Sequence, residues 1–490
     1  MQLFQVLQRK DSLFWISIFS ALIMIVACFE NGPLHHSISD QAFLFINSFF
    51  GYRFFHRGVC FFISDFFILI IFSICFFKMR KRTLFFEKSS SYLLAFVFLL
   101  LISAFFSPWP RASQFFSVFN FFTVYLLVAS LSSVLNENNI IRFLNIVLGT
   151  LLFISFFECF LGLYQYFMQK SLGLKSLHEP VFSETNFGLA SFLSTSGSRW
   201  IFDDIFHVER SVKLILRATG SFGHANNFGG FMFFSSIASV YFYLFSKKIW
   251  QRASVSILLF LQIFGIFVSY SRSALFGFII ASACFFILVF IKRKELAAKM
   301  YKSLFFVILS SLILSFLLLY PQLVDRGGVV TYNSLAKASD RGRINFQIVA
   351  REMIKKHPVK GIGFSRFHQR CSEFIPLDRK DEICTGIVHN IYLLIASENG
   401  VIALLFLMIF IFSVFRAFLY QKSNLVLCLF VSFFIGILFI GFCDYYLIDK
   451  TIGKLMFFFI PAIIASLGSY EKKLIFSKIL KLEKSSTLMR

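Results

Sequence analysis

Four clusters in the sequence combine guanidinium, imidazole and amide side chains at spacings suited to chemistry on an anionic group. The first is Arg217-Ala-Thr-Gly-Ser-Phe-Gly-His224-Ala-Asn226-Asn-Phe-Gly-Gly. A Gly-rich turn beside a helix start offers free backbone N–H groups to anionic oxygens; a packing turn between helices is the competing reading of the same glycines. The second is Ser271-Arg272-Ser273, a charge set in a tight turn between two apolar runs. Such an arginine either snorkels to lipid phosphate or finds a partner. The third runs from Arg341-Gly-Arg343 to His357-Pro358-Val-Lys-Gly361-Ile-Gly363-Phe364. Its apolar spacing predicts a short amphipathic helix stopped by Pro358, with Arg343 at the helix start. The fourth is Val388-His389-Asn390, followed by Glu398-Asn-Gly400. A neutral imidazole at the mouth of an apolar run can accept a proton near neutral pH, as general-base catalysis requires. A lone histidine is more often structural; Asn390 and three arginines on one membrane face favour the catalytic reading of His389. The sequence shows no Walker A lysine, no Cys-rich metal spacing and no HExxH, so neither an ATP site nor a zinc site is expected, and no cofactor.

These clusters need elements to carry them, and composition says what kind. Of 490 residues, 58% are hydrophobic, 75 are Phe and only 15% are charged. A soluble globule coats itself with about 25% charge, and a disordered chain is poor in these apolar types. Lipid is therefore the solvent for most of the surface. Apolar runs long enough to cross a core about 30 Å thick centre on 13–29, 59–77, 92–107, 115–135, 143–167, 228–246, 253–270, 274–291, 303–320, 391–415, 425–447 and 452–469. The expected fold is an all-α polytopic membrane protein of roughly 12 spans. The first span lacks a small-residue cleavage site after it and reads as an uncleaved anchor.

The net charge of +23 is a matter of topology, not of nucleic acid. Lys and Arg gather in alternate short loops: Arg9 and Lys10; Lys78, Arg80, Lys81 and Arg82; Lys247, Lys248 and Arg252; Lys292, Arg293 and Lys294; Arg416 and Lys422; and the tail from Lys472 to Arg490. The positive-inside rule places that set, and both chain ends, in the cytoplasm. Two long segments, 168–227 and 321–390, then lie outside, where long loops on a helical scaffold tend to carry function. The chain divides into 1–227 (first helices and first outer loop), 228–320 (central helices), 321–390 (large outer loop), 391–470 (last helices) and a basic tail, 471–490. The mixed Lys/Ile/Leu/Phe pattern of 471–484 fits a helix on the membrane surface. Cys371 and Cys384 share the second outer loop; in an oxidising compartment they could form a disulfide, with free thiols as the alternative.

In order and spacing the four clusters resemble the O-antigen ligase and polymerase family. His389-Asn390, nine residues, then Gly400 is similar to that family's His-[Asn/Ser/Gln]-x9-Gly signature. Arg343 stands fifteen residues before Pro358, where the family carries a loop arginine ahead of an "hP..G.G" stretch; Ser271-Arg272 and Arg217 to Asn226 resemble its other arginine segments. The likeness runs from about residue 215 to 405, with Ala225 where Pro is usual. The resemblance implies a bacterial inner-membrane glycosyltransferase of GT-C-like architecture, with its active site facing the periplasm. Its donor would be an undecaprenyl-diphosphate-linked glycan and its acceptor the lipid A-core or another hydroxyl, with membrane lipids as further partners and no nucleic acid. Arg272 and Arg343, with Arg217 as a third, would bind the diphosphate. His389 would be the base, and Asn390, Asn226 and Glu398 would support them. Polymerase and protein O-oligosaccharyltransferase remain alternatives for the acceptor step, and a non-catalytic polysaccharide or lipid exporter a distant one. An exporter should line a path with charges inside its spans; the ionisable residues there (Asp65, Glu158, Glu398 and Asp444) do not form a chain.

Overall fold

A computed structural model describes residues 12–29, 63–78, 88–107, 112–136, 139–174, 179, 191–194, 213–292, 298–326, 334–376, 386–419 and 424–467. The helices in order are α1 (Ser12–Phe29), α2 (Ile63–Lys78), α3 (Lys88–Phe105), α4 (Ala112–Val134), α5 (Ile140–Met168), α6 (Ala225–Phe245), α7 (Ile249–Val268), α8 (Arg272–Lys292) and α9 (Ala298–Arg326). Then come α10 (Ser334–Lys356), α11 (Phe367–Arg370), α12 (Ile391–Leu419), α13 (Leu425–Cys443), α14 (Tyr446–Asp449) and α15 (Thr451–Leu467). Eight of these are long and apolar enough to cross a membrane, and α1, α2, α3 and α15 are shorter apolar helices. Together they fill the twelve segments expected from the sequence. Helices suit this solvent because every backbone N–H and C=O is satisfied within the segment.

The burial pattern follows from position in the bundle. Every α6 residue from Ala225 to Tyr241 is buried, so α6 is the central helix. Its phenylalanines interlock with those of α13, Phe233 stacking on Phe433 at 5.3 Å. By contrast α5 exposes Phe153, Phe156, Phe157 and Phe160. Side chains that would be a liability in water are the natural coat in hydrocarbon. The antiparallel helices α8 and α13 approach closely where Gly277 faces Gly436 and Ile440, small residues letting backbones meet as membrane helices commonly do. That contact lies five residues from Arg272 and eight from Asp444, so it brings the start of α8 and the end of α13 to the same end of the bundle.

Three features go beyond or against the expectations. The first long loop carries a short sheet for which the sequence raised no expectation: β1 (Ser191–Ser194) and β2 (Lys213–Leu216) pair antiparallel, Ser191 opposite Leu216. The amphipathic helix of the second loop begins at Ser334, so Arg343 sits well inside α10 and not at its start. The preceding Ser-Leu-Ala-Lys-Ala stretch consists largely of good helix formers that continue the same turn pattern. The third is that α12 is broken at Gly400 (φ 84°, ψ 164°). A second small core of Val349, Ala350, Met353, Ile362, Phe367, Cys371, Phe374, Val388 and Leu394 joins α10, α11 and the start of α12. Cys371 is disulfide-bonded. Cys384 and the tail 471–490 lie outside the described residues.

Candidate active site

The start of α6 is where the clusters meet. His224 is its N-cap, and the imidazole Nδ1 accepts the Asn226 N–H at 3.1 Å. Arg217, buried just upstream, donates from Nε to the Ser269 carbonyl at 2.8 Å and from Nη2 to Asn226 Oδ1 at 2.7 Å. Because a guanidinium only donates, it fixes which end of the Asn226 amide is oxygen. The amide nitrogen therefore faces Asp444 and donates to its Oδ2 at 2.6 Å. The other Asp444 oxygen lies 3.1 Å from His389 Nδ1 and also accepts the Tyr445 N–H at 2.9 Å. A continuous chain thus runs Arg217–Asn226–Asp444–His389. Asp444 is 4% exposed at its side chain and His389 23%, so the carboxylate lies beneath and the imidazole opens outward. The ring is also held edge-on to Tyr445 at 5.1 Å.

Local sequence explains why these segments can meet. A Cβ on Gly229 would fall 2.4 Å from Ser269 Oγ, and one on Gly230 2.0 Å from the Tyr446 hydroxyl. The bare α6 backbone is what lets the Ser269–Arg272 turn and the Asp444–Tyr446 turn lie against it. Gly229 and Gly230 of the first cluster therefore serve close packing. The tight α7–α8 turn places Tyr270 at φ 49° and lets Ser271 N–H donate to Ser269 Oγ at 3.1 Å. Arg272 then opens α8, exposed at the same end.

The electrostatics link the remaining arginines. Arg217 is brought down to about 9, first by burial and then by the like charges of Arg326, Arg343 and Arg272, with Asp444 opposing. His224 is held at about 4 by burial and then by Arg217, so it stays neutral at physiological pH. Asp444 lies one residue beyond the α13 span. Burial pushes it up, but the His389 hydrogen bond and charge, Arg343 and His224 outweigh that and hold it below the usual carboxylate range. Arg343 acts on all three groups, and its Nε is buried with no hydrogen-bond partner among the described residues. Several guanidinium charges acting on the same groups are stabilised by an anion with several oxygens. Among the described residues, no three His, Cys, Asp or Glu side chains gather as metal ligands.

The structure thus joins Arg217 to Asn226 directly and both to His389 through Asp444, and it brings Arg272 and Arg343 into their field. Asn390 is a helix cap, its Oδ1 accepting the Tyr392 and Leu393 N–H groups at 2.9 and 3.0 Å. Glu398 is in the α12 break, apart from the His389 chain. Asp444, His224 and Arg326 join the cluster although sequence reasoning gave none of them a role there. Counting spans from the Lys-rich loops already put Asp444 at the same end of its helix as His389, and that signal was there to find.

Fold and site together define a polytopic all-α membrane protein with a carboxylate–imidazole pair among arginines at one end of the bundle. Residues 256–408 match the O-antigen ligase family, Wzy_C. The matched stretch includes Arg272, Arg343, His389 and Gly400, and it supports an O-antigen ligase-like, glycosyltransferase-type function for the chain. No curated protein matches the chain.

Proposed function

We propose that the protein transfers a glycan from undecaprenyl diphosphate to an acceptor hydroxyl, the lipid A-core being the acceptor that fits best, at the periplasmic face of the bacterial inner membrane. The observation that carries the reading is the His389–Asp444 contact at 3.1 Å within reach of several arginine charges. An ionised Asp444 takes the Nδ1 proton as its hydrogen-bond partner, which leaves the Nε2 lone pair to accept a proton. His389 removes the proton of the acceptor hydroxyl as that oxygen attacks the anomeric carbon. The bond from that carbon to the phosphate oxygen breaks on the opposite face, its electron pair passes to the diphosphate, and the configuration inverts. Arg272 and Arg343 stabilise the charge that develops on the leaving group. Arg217 contributes fixed charge and orients Asn226, with two of its donors already tied to Ser269 and Asn226. The energy comes from the diphosphate link.

The intramembrane carboxylates favour this over export. Asp65 accepts from Asn120 and Thr123 at 2.6 and 2.5 Å, and Glu158 from Ser221 Oγ at 2.6 Å. Each is tied locally, and they do not line a path. A deletion strain tests the proposal. Loss of surface O-antigen with intact lipid-linked polymer is the expected result; single-repeat lipopolysaccharide would show a polymerase, and unchanged lipopolysaccharide with altered glycoprotein a protein glycosyltransferase. His389→Ala, expressed at wild-type level in that strain, should fail to restore transfer; full complementation would overturn the general-base role.

A further inference from the structure

Helix α12 has 29 residues, about 43 Å at 1.5 Å per residue, against a hydrocarbon core of about 30 Å. Counting about 20 residues back from Arg416 reaches Ser397, so the break at Gly400 falls within a turn of the membrane boundary. A break there frees backbone groups that lipid cannot satisfy. The segment after α10 satisfies them. Ile362 N–H donates to the Ser397 carbonyl and Gly363 N–H to the Glu398 carbonyl, both at 2.9 Å, and Val401 N–H donates to the Pro358 carbonyl at 2.8 Å. Ser103 Oγ on α3 adds a hydrogen bond to the Glu398 carbonyl at 3.0 Å.

The Glu398 side chain closes the same joint. Buried, it accepts the Ser365 N–H on Oε2 at 2.9 Å and the Phe367 N–H on Oε1 at 2.8 Å. Ser365 is held at φ 55° to present its N–H, a left-handed conformation that persists only where surroundings over-determine it. Gly400 is required twice over: its φ is positive, and a Cβ there would lie 1.9 Å from the Val359 carbonyl oxygen. Thus the glycine that ends the His389 signature and the Pro358–Gly363 stretch are two halves of one joint.

We propose that Glu398 and the Gly400 break form a latch that sets the register of α10 on α12, and so fixes Arg343 relative to His389. His389 precedes α12 directly, while Arg343 is on α10, whose chain enters the latch immediately after Lys356. Without the latch, the contacts of α10 with the start of α12 are apolar ones, among them Val349, Ala350 and Met353 against Val388 and Leu394, which tolerate sliding far better than directional hydrogen bonds do. Glu398 is therefore a positioning residue. Its kinetic consequence rests on the reading of Arg343 as a diphosphate ligand; its structural consequence does not.

The test measures both. Spin labels are attached through non-natural keto residues at exposed Ile344 on α10 and exposed Phe442 on α13, leaving native cysteines in place. The full-length protein in lipid nanodiscs should give one narrow distance distribution. Glu398→Ala should broaden or shift it, raise the KM for a polyprenyl-diphosphate-linked glycan, and lower turnover about 100-fold, as expected of roughly 1 Å of misplacement. The pH dependence of transfer should keep its shape. Glu398→Gln retains one acceptor oxygen and should fall between; it carries the test where Glu398→Ala fails to insert. An unchanged distribution in a folded variant overturns the latch, whatever the activity. A shifted distribution in a protein whose wild type transfers no such glycan leaves the latch standing and rejects the transfer reading.

Discussion

A carboxylate beside an imidazole decides which ring nitrogen carries the proton, and at Asp444 that decision is enforced from below. Asn226 cannot flip, because Arg217 holds its oxygen. In Asp444→Asn the new amide can keep its oxygen toward Asn226 only by giving up the acceptor for the Tyr445 N–H, and its NH2 then faces His389 Nδ1. The imidazole then carries its proton on Nε2 and loses its basic nitrogen there. Transfer in membranes from that variant should fall by about 100- to 10,000-fold, as for tautomer-inverting changes in other catalytic dyads, with donor binding little altered. His224 makes a second residue-scale prediction. It binds a proton near pH 6.5 when unfolded but near 4 when folded. The unfolded state thus takes up protons first as pH falls, so His224 lowers stability progressively from about pH 6.5 down to about 4. Thermal unfolding in detergent should show this loss, and His224→Asn, which keeps the N-cap acceptor, should flatten it. At this scale the sequence was only half legible. Arg and His identities showed where an anion and a proton could be handled. The partner of His389 lies 55 residues away, and only helix packing brings it back.

At the scale of elements, hydrophobic length did most of the work. Spans announce themselves because roughly 20 apolar residues have no other stable environment, and all twelve expected segments are occupied by apolar helices. What stayed hidden depends on contacts between segments. The β1–β2 pair is two four-residue strands whose hydrogen bonds exist only in each other's presence. In sequence the α12 break is only charge and glycine within a span, because the Pro358–Gly363 segment that satisfies its backbone comes from a separate stretch of chain. The close packing on α6 is likewise invisible as pattern but easy to test. Gly230→Ala would drive a methyl into the Tyr446 hydroxyl at 2.0 Å, two residues from Asp444. It should cost about 1–3 kcal/mol of stability and reduce transfer more than its stability loss explains. Gly149→Ala, whose Cβ would meet only Phe242 at 3.8 Å, is the control. Helix propensity alone makes it neutral or stabilising by up to about 1 kcal/mol, measured by the same thermal unfolding.

For the whole molecule the question is which way the site faces, and two independent features bear on it. The arrangement of α6, α8, α12 and α13 puts Arg217, Arg272, His389 and Asp444 at one end of the bundle, whatever the membrane does. The Lys- and Arg-rich turns, such as Lys247–Arg252 between α6 and α7, lie at the other, and positive charge is retained on the cytoplasmic side. The site end should then be periplasmic, the compartment in which a disulfide at Cys371 is chemically at home. Labelling with a membrane-impermeant biotin hydrazide decides the matter, using the keto residue placed at Ile344 on α10 or at Trp250 in the first turn of α7 beside the basic residues. Both positions are well exposed, at 57% and 60%, so a difference between them reports sidedness and not burial. Spheroplasts should label the Ile344 variant fully and the Trp250 variant only after the membrane is permeabilised. The reverse pattern would put the arginine cluster in the cytoplasm and remove the premise that the glycan donor is presented from the periplasmic leaflet, even with the His389–Asp444 geometry intact.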